Sequence, residues 1–416
     1  MYQLIAELYP ICRSITGPGV RETLHRVQAR IPIAVREVRT GTPVFDWTVP
    51  KEWTIRDAYI KDARGERVVD FRQSNLHVVS YSVPVRARMS LDTLREHLFT
   101  IPERPDWIPY RTSYYQENWG FCLAHRRLLD LTAGEYEVVI DASLEDGHLT
   151  YGELLIEGAQ PEEVLISTHV CHPSLCNDNL SGIALATYLA RALAGRRLRY
   201  SYRFLFIPGT IGSITWLALN EERVSRIKHG LVLACVGDPG PLAYKRSRQH
   251  SAEIDRAALA VLGHSGREFT VLDFTPYGYD ERQYASPGFN LPVGCLSRTP
   301  HGRFPEYHTS ADDLEFVRPA ALADSLATVS AIVELLENNK TWVNQNPKGE
   351  PQLGRRGLYA QWGGRPDRAR RELAMLWVLN LSDGSHSLLD IAERSGLEFG
   401  FIKDAADALA EQGLLR

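Results

Sequence analysis

The sequence lacks the features that mark membrane and secreted proteins. No segment reaches 18 uninterrupted apolar residues, and Arg191 interrupts the best candidate, so no membrane-spanning helix is predicted. Residues 1–7 show neither a basic region nor a long apolar stretch, which argues against a signal peptide. The six cysteines have no regular spacing, and we interpret them as free thiols in a reducing compartment. These absences predict a cytoplasmic protein.

The sequence also lacks a strong excess of either charge. It has 47 basic and 51 acidic residues among 416, a formal net charge of -4. So small a charge gives no electrostatic reason to expect nucleic acid or an anionic membrane as a partner. Hydrophobic residues make up 44% and charged residues 24% of the chain, the composition of an ordinary globular protein with two or three domains.

What the sequence does contain is a regular alternation of strand and helix patterns over residues 130–340. This alternation predicts a mostly parallel α/β sheet covered by helices, to which the helical residues 1–36 also belong. Residues 37–129 hold four tryptophans and short alternating stretches, and are predicted as an inserted β-rich small domain. Residues 341–366 are rich in glycine, proline and asparagine and are predicted as a linker. Three helical patterns follow in residues 367–416.

Four polar side chains are predicted at one edge of this sheet. An apolar strand ends at His169, and Asp178 stands between two asparagines just ahead of a predicted helix. Asp238 follows another apolar strand, and His308 lies in a later loop. In a parallel α/β sheet, strand ends and the following helix starts face one crevice. Imidazoles and carboxylates are ligands of Zn²⁺, so the sequence predicts a site for one or two metal ions.

Other interpretations of the same residues stay open at this point. His169 could be a hydrogen-bonded histidine without a ligand role. The asparagines around Asp178 could form a turn, with Asn179 or Ser181 as the helix N-cap. A thiolate metal site is a further alternative, although the spacing lacks the C-x₂-C…H-x₃₋₅-H form of a zinc module; its members would be His169, Cys171, His172 and Cys176.

The order and context of these residues carry a family resemblance. They are similar to the co-catalytic zinc exopeptidases of the bacterial leucyl aminopeptidase and glutamate carboxypeptidase type, through His169, Asp178-Asn179-x-Ser-Gly, Asp238 and Tyr307-His308-Thr309. The chain resembles still more closely a bacterial aminopeptidase-like family that has an inserted small domain and a C-terminal winged helix, and that is often linked to polysaccharide biosynthesis clusters. The motifs of that family stand here at residues 12–17, 45–50, 75–82, 108–115 and 280–284.

The resemblance implies a zinc exopeptidase-like domain in residues 1–36 and 130–340, with zinc as its cofactor. It implies that His169 binds one metal with Asp238 beside it, that Asp178 bridges two metals and that His308 binds the second. A carboxylate suits the bridging position because its two anionic oxygens can hold two cations about 3.5 Å apart. The implied reaction is hydrolysis of a peptide or an amide-bearing small substrate.

One departure from the family concerns Gly209. The related family places a glutamate there, in a Pro-Glu-Thr-Ile-Gly-Ser motif, and an acidic pair near this place supplies a general base and a ligand for the second metal. Losing a general base lowers rates by about 10²–10⁴-fold. We therefore predict one tightly held zinc per chain and weak or absent aminopeptidase activity. The candidates to replace the missing base are Glu281 and Glu306, with Asp280 as a further carboxylate.

Residues 367–416 resemble a winged helix, a fold that commonly binds DNA. The third helical pattern offers Lys403 against three carboxylates, and residues 368–416 hold six basic and eight acidic side chains, a net charge of -2. Phosphate contacts supply most of the affinity of proteins for DNA. We therefore expect this module to contact a protein or to form a homo-oligomer, and not to bind nucleic acid.

Three functions remain open from the sequence. The first is a zinc-dependent aminopeptidase-like hydrolase whose activity is impaired by Gly209. The second is a catalytically inactive metal-binding or assembly protein linked to polysaccharide biosynthesis. The third, a transcription regulator built around the winged helix, is disfavoured by the acidic charge of that module.

Overall fold

The structure is a computed structural model that describes residues 1–359 and 366–416. These residues form two compact units, residues 1–250 with 268–327 and residues 251–267 with 328–416. The α-helices are α1 (Tyr2–Leu8), α2 (Pro18–Gln28), α3 (Leu91–Arg95), α4 (His125–Leu129), α5 (Gly182–Leu193), α6 (Ile211–Leu219), α7 (Glu253–Gly263), α8 (Glu281–Tyr284), α9 (Pro319–Asn338), α10 (Arg368–Leu381), α11 (Leu388–Ser395) and α12 (Phe399–Glu411). The strands are β1 (Ala34–Arg39), β2 (Pro43–Val44), β3 (Trp47–Thr48), β4 (Glu52–Lys61), β5 (Arg67–Asp70), β6 (Val85–Ser90), β7 (Leu98–Phe99), β8 (Phe121–Cys122), β9 (Glu135–Glu145), β10 (His148–Ile156), β11 (Glu163–His169), β12 (Ser201–Ile207), β13 (Ile227–Leu233), β14 (Leu242–Lys245), β15 (Phe269–Leu272), β16 (Val293–Ser297), β17 (Thr341–Val343) and β18 (Asp383–Ser387).

An eight-stranded sheet forms the centre of the first unit. Its order is β1-β10-β12-β11-β13-β16-β14-β15, and β12, β11, β13 and β16 are parallel neighbours. Every residue of β11 and β12 is buried, as expected for strands covered on both faces. Helices pack against the sheet, among them α5 on β11 and α2 on β10. The predicted α/β fold is confirmed, and the sheet also contains the short strands β14 and β15, which the sequence pattern does not predict.

The region predicted as an inserted domain forms a second sheet within the same unit. This sheet has the order β5-β4-β9-β6, and Trp53 of β4 is 3% exposed in its core. The predicted boundaries, residues 37–129, differ from the observed elements. Residues 37–39 belong to β1 of the large sheet, and β9 begins at Glu135. Only Asp146 and Gly147 separate β9 from β10, so the chain passes between the two sheets without a linker.

The C-terminal unit contains the expected three-helix pattern and part of the predicted linker. Strand β17, within the predicted linker 341–366, pairs antiparallel with β18. Leu353 and Leu358 are buried in one core with residues of α10 and α12, because isolated apolar residues can anchor a segment that is otherwise rich in glycine and proline. Residues 360–365 of the predicted linker lie outside the described residues.

Helix α9 is long and strongly apolar, so its burial bears on its suitability for crossing a membrane. It is 20 residues long, and its most apolar 18-residue window has a mean hydropathy of 1.5. Half of that window is buried inside the structure, which is typical of a core helix. Length and composition alone would allow it to cross a membrane.

Candidate metal centre

The candidate site lies where three parallel strands end. Strand β11 ends at His169, β12 is followed by Gly209, and β13 is followed by Cys235 and Asp238. Because β12, β11 and β13 are adjacent and parallel, their carboxyl ends lie at the same edge of the sheet. This edge is where an α/β sheet offers a crevice to ligands.

Three imidazoles surround the carboxylate of Asp178, which is fully buried. The Nε2 atom of His169 lies 2.8 Å from Oδ1 of Asp178, and Nε2 of His308 lies 3.0 Å from Oδ2. The Nε2 atom of His172 lies 3.7 Å from the same Oδ2. One nitrogen or oxygen from each of His169, His172 and Asp178 lies within 4.8 Å of the others. The structure therefore brings together three predicted residues and adds His172.

The chain around Asp178 is fixed by side chains from distant segments. Asp312, itself buried, accepts hydrogen bonds from the backbone N–H groups of Asn177 and Asp178 at 2.6 and 2.9 Å. The amide of Asn179 donates to the hydroxyl of Thr168 at 2.8 Å and accepts from the N–H of Cys235 at 3.2 Å. These contacts tie the loop to the ends of β11 and β13, so that the position of the Asp178 carboxylate is set before any ligand binds.

His308 is held in place by Tyr110, which lies 198 positions earlier in the chain. Its backbone lies in the left-handed region, with φ of 56°, and its carbonyl accepts from the N–H of Tyr110 at 2.7 Å. The ring of Tyr110 contacts the rings of both His308 and His172, with centroids 5.1 and 5.2 Å away. Tyr307 stacks on His308 at 4.0 Å. The predicted inserted region thus helps to build the site.

The protonation states suit a metal with nitrogen and oxygen ligands. Burial would raise the pKa of Asp178, but its interaction with His172 and the hydrogen bonds from His169 and His308 hold that pKa well below its usual range. Burial lowers the pKa of His172 to about 3, which keeps this imidazole neutral near pH 7. Ionised carboxylate and neutral imidazole are the forms that bind metals.

The alternative thiolate site is less well supported. Burial raises the pKa of Cys171 to about 12 and raises that of Cys176 still further. Both thiols therefore stay protonated in the metal-free protein, and the thiolate is the form that binds metal. Cys171 instead accepts a hydrogen bond from the N–H of Gly209 at 3.2 Å.

Among the residues that the structure describes, Asp238 is not one of the side chains grouped around Asp178. Its Oδ1 accepts from the N–H of Gly240 at 2.8 Å and from the hydroxyl of Thr299 at 2.7 Å. Its Oδ2 accepts from the side-chain amide of Asn177 at 3.0 Å and from the N–H of Thr299 at 3.2 Å. Both oxygens are thus occupied by protein donors, and the carboxylate anchors the loops around the site.

A cleft of about 680 Å³ opens beside the cluster. His169, His172 and Gly209 line it, together with a set of aromatic rings that includes Trp47, Tyr114, Tyr115, Tyr277, Tyr279 and Tyr307. Tyr279 stacks on His169 with centroids 5.0 Å apart. Ligand sites are concave, largely apolar and carry a few polar groups. The cleft has the size and the lining of such a site.

Among the three candidate carboxylates, Asp280 is the one that lines the cleft. Its Oδ1 accepts from the N–H of Thr210 at 2.7 Å and from the hydroxyl of Ser213 at 2.8 Å, and burial raises its pKa. Glu281 is not part of the cleft lining, and its Oε1 accepts from the buried ammonium of Lys245 at 2.8 Å, while its Oε2 is buried without a partner. Glu306 is half-buried and is not part of the cleft lining.

Residues 2–339 match a family described as a domain of unknown function, DUF4910, and residues 340–416 match a winged helix-turn-helix family. The first match spans most of the chain. The chain belongs to the DUF4910 family. The second match begins at residue 340 and therefore includes β17.

Comparisons with relatives and solved structures show that this family has an aminopeptidase-like fold. A Clostridium acetobutylicum protein is provisionally named a polysaccharide biosynthesis protein with an aminopeptidase-like domain. It is 56% identical over 416 residues, which are 100% of this chain and 96% of that protein. A crystal structure from C. acetobutylicum, provisionally named a peptidase, has 55% identity and a TM-score of 0.95, covering 100% of this chain and 95% of that chain. A zinc aminopeptidase of Bacillus subtilis has a TM-score of 0.59 at 14% identity, over 80% of this chain and 93% of its own. The DUF4910 chain thus has the aminopeptidase-like fold that the sequence predicted.

The lowered pKa of His172 predicts a pH dependence of stability for the metal-free protein. An unfolded histidine takes up a proton below about pH 6.5, whereas folded His172 does so only near its pKa of about 3. The unfolded state therefore binds more protons between these values, and the free energy of unfolding falls as the pH falls. The slope from this one group is about 1.4 kcal/mol per pH unit.

This slope can be measured by urea unfolding of chelator-treated protein at several pH values from 6.5 to 4.5. We expect His172→Asn to remove about 1.4 kcal/mol per pH unit from the wild-type slope. His25→Asn replaces an exposed histidine of α2 and should leave the slope unchanged. Equal slopes in the His172 variant and the wild type would show that His172 is protonated in the folded protein.

Proposed function

We propose that this DUF4910 chain is a zinc-dependent hydrolase of amide bonds. The observation that carries the proposal is the cluster of three imidazoles around the buried carboxylate of Asp178, at the ligand-binding edge of an aminopeptidase-like sheet. Imidazole nitrogens and a carboxylate oxygen are ligands that Zn²⁺ prefers, and a catalytic zinc uses three of them and keeps its fourth position for water. The residues that would hold the ion are His169, His172 and Asp178, whose ligand atoms lie within 4.8 Å of one another, and His308 would hold the carboxylate of Asp178 in place.

A zinc ion in this position would act as a Lewis acid and would lower the pKa of bound water. The chain itself contributes the orientation of the ligands, through Asp312, Asn179 and Tyr110. It also contributes Asp280, which lines the cleft and whose raised pKa suits a group that accepts and returns a proton. We propose Asp280 as the proton carrier that compensates in part for the missing carboxylate at Gly209.

The proposed substrate class is an amide-bearing compound of polysaccharide biosynthesis. The name of the C. acetobutylicum relative supports this assignment, and so do the exposed aromatic rings along the cleft. Trp47 is 42%, Tyr115 47% and Tyr277 73% exposed, and all three line the cleft. Exposed rings grouped in this way mark a surface that contacts another molecule.

The proposal is tested by measuring the hydrolysis of leucine p-nitroanilide and of N-acetylated amino sugars by zinc-loaded protein. We expect slow turnover of at least one substrate, which Asp280→Asn lowers by about 10²-fold or more. Glu306→Gln, which removes a carboxylate outside the cleft lining, should leave the rate unchanged. A larger loss with Glu306→Gln than with Asp280→Asn would assign the proton carrier to Glu306.

A non-hydrolytic metal-binding protein is the second candidate, and Gly209 favours it. The position carries no carboxylate, yet an added Cβ atom would lie 3.6 Å from Cβ of His169, so this is the place from which a base could reach the cluster. One zinc per chain without turnover of any amide substrate would favour this second function.

We also propose that the C-terminal unit contacts protein and not DNA. Two leucines of α10, Leu373 and Leu376, are 46% and 39% exposed, while the surrounding module is acidic. We expect the full-length protein to give no mobility shift of duplex DNA at physiological salt, because too few cations are available to replace counterions. A shift that weakens steeply with added salt would contradict this.

A further inference from the structure

Arg282 is a cation in the cleft with an incomplete set of partners. Its side chain lines the cleft beside His169 and Gly209. Its Nη2 donates to the hydroxyl of Thr210 at a long 3.3 Å, and its buried Nε has no hydrogen-bond partner. Across residues 1–359 and 366–416, no carboxylate forms an ion pair with this guanidinium.

Two buried arginines of the same unit, Arg203 and Arg298, are paired with carboxylates, whereas buried Arg13 lies outside the cleft lining and donates to two carbonyls and a hydroxyl. Arg203 forms hydrogen bonds to Glu163 at 2.5 and 2.8 Å and also contacts Glu153. Arg298 donates to Asp324 at 2.8 Å. A buried donor without an acceptor is unfavourable, and more so when the group is charged. Arg282 is therefore the arginine in the cleft whose hydrogen bonds a ligand could complete.

The chain segment that precedes Arg282 is also held in place. The preceding residue, Glu281, is buried and pairs with Lys245. The same ammonium donates to the carbonyls of Thr275 and Tyr277 at 2.9 and 2.8 Å. Lys245 therefore fixes residues 275, 277 and 281, which lead up to Arg282, and a donor carried on a fixed segment loses less entropy when it binds a ligand.

Gly209 leaves room for the ligand next to this arginine. The side chain that Gly209 lacks would extend beside His169 and Cys171, and Arg282 contacts the adjacent residue, Thr210. An anionic group can therefore approach the guanidinium without displacing a carboxylate of the protein. Guanidinium binds carboxylate and phosphate through strong charge-assisted hydrogen bonds.

We infer that Arg282 recognises an anionic group, a carboxylate or a phosphate, on the amide-bearing ligand of this cleft. That the ligand is an amide rests on the proposed function. The recognition of its anionic group by Arg282 does not require bound metal. Arg282 is a specificity-determining residue, and the Lys245–Glu281 pair is the positioning device behind it.

The inference is tested by calorimetric titration with matched neutral and anionic probes. One set is N-acetylglucosamine, N-acetylglucosamine 1-phosphate and N-acetylmuramic acid, and the other is N-acetyl-leucylglycinamide and N-acetyl-leucylglycine. In at least one set we expect an anionic member to bind about 10- to 100-fold more tightly than the neutral one. The phosphate and the two carboxylate probes show which anion is preferred.

The variants separate Arg282 from general electrostatics. Arg282→Gln should abolish the preference for the anion while leaving the affinity for the neutral probe within about threefold, and Arg282→Lys should retain part of it. Arg303→Gln removes the same charge from an exposed position outside the cleft lining and should retain the preference in full. Equal binding of neutral and anionic probes, or a preference that survives Arg282→Gln, would overturn the inference.

The same titrations on zinc-loaded and chelator-treated protein separate this inference from the proposed function. If zinc binds but no anionic probe is preferred, the inference fails and the metal site stands. If zinc does not bind but the chelator-treated protein shows the Arg282-dependent preference, the proposed zinc hydrolase fails and the inference stands.

Discussion

Replacing Gly209 with glutamate is expected to raise amide hydrolysis by about 10²–10⁴-fold, the usual contribution of a positioned general base. An added Cβ atom would lie 3.3 Å from Sγ of Cys171 and 3.6 Å from Cβ of His169. The new side chain therefore begins beside the cluster, and one neighbouring thiol needs to move by a few tenths of an ångström. The rate is measured with zinc-loaded protein under saturating substrate, so that the change appears in kcat.

Two further variants serve as controls for this substitution. Gly209→Gln has the same size as the glutamate variant but cannot accept a proton, and it should stay near the wild-type rate. Cys171→Ala combined with Gly209→Glu removes the close contact and should retain the increase. If the glutamine variant is as active as the glutamate variant, the gain comes from packing and the account of Gly209 is wrong.

Asp178→Asn is expected to weaken zinc binding by more than about 100-fold. Loss of a residue that only hydrogen-bonds to a metal ligand already lowers metal affinity by about 10- to 100-fold, and a ligand itself contributes more. The substitution keeps the size of a fully buried side chain and removes the negative charge that faces His169 and His308. Zinc affinity is measured by competition with a chelator of known affinity. His172→Asn should weaken binding as well, because its nitrogen faces the same carboxylate.

Asp238→Asn is the matched control for this loss. Both oxygens of Asp238 accept hydrogen bonds from protein groups. In the asparagine variant, the side-chain NH₂ group would face some of these donors and could not accept their hydrogen bonds. We therefore expect the free energy of unfolding to fall by about 1–3 kcal/mol. We expect zinc to remain bound with one ion per chain. A loss of zinc as large as that of Asp178→Asn would restore Asp238 to the ligand set implied by the family resemblance.

The parts of the site that lie in one stretch of sequence could be predicted. Residues 164–178 contain an apolar strand, the histidine at its end and an aspartate ahead of a helix, and the structure places His169 and Asp178 in direct contact. The order of strands and helices after residue 130 likewise follows from hydrophobic periodicity. His172 could have been included from its spacing of three residues after His169, because the turn after a strand end can return both rings to one crevice.

The remaining features of the site depend on contacts between segments that lie far apart in the sequence. Hydrophobic periodicity carries no information about such contacts. Tyr110 holds His308 across 198 positions of sequence, and Asp238 is occupied by Asn177 and Thr299. The choice among Asp280, Glu281 and Glu306 depended on the partner of each carboxylate. Lys245 lies 36 positions before Glu281 in the sequence, and the structure brings the two side chains together as an ion pair.

The most direct test of the central claim is anomalous diffraction at the zinc absorption edge from crystals of protein purified without chelator. The account predicts one anomalous peak per chain, within bonding distance of ligand atoms from His169, His172 and Asp178. Two peaks bridged by Asp178, with Asp238 bound to one of them, would contradict it, and so would a structure in which added zinc binds elsewhere.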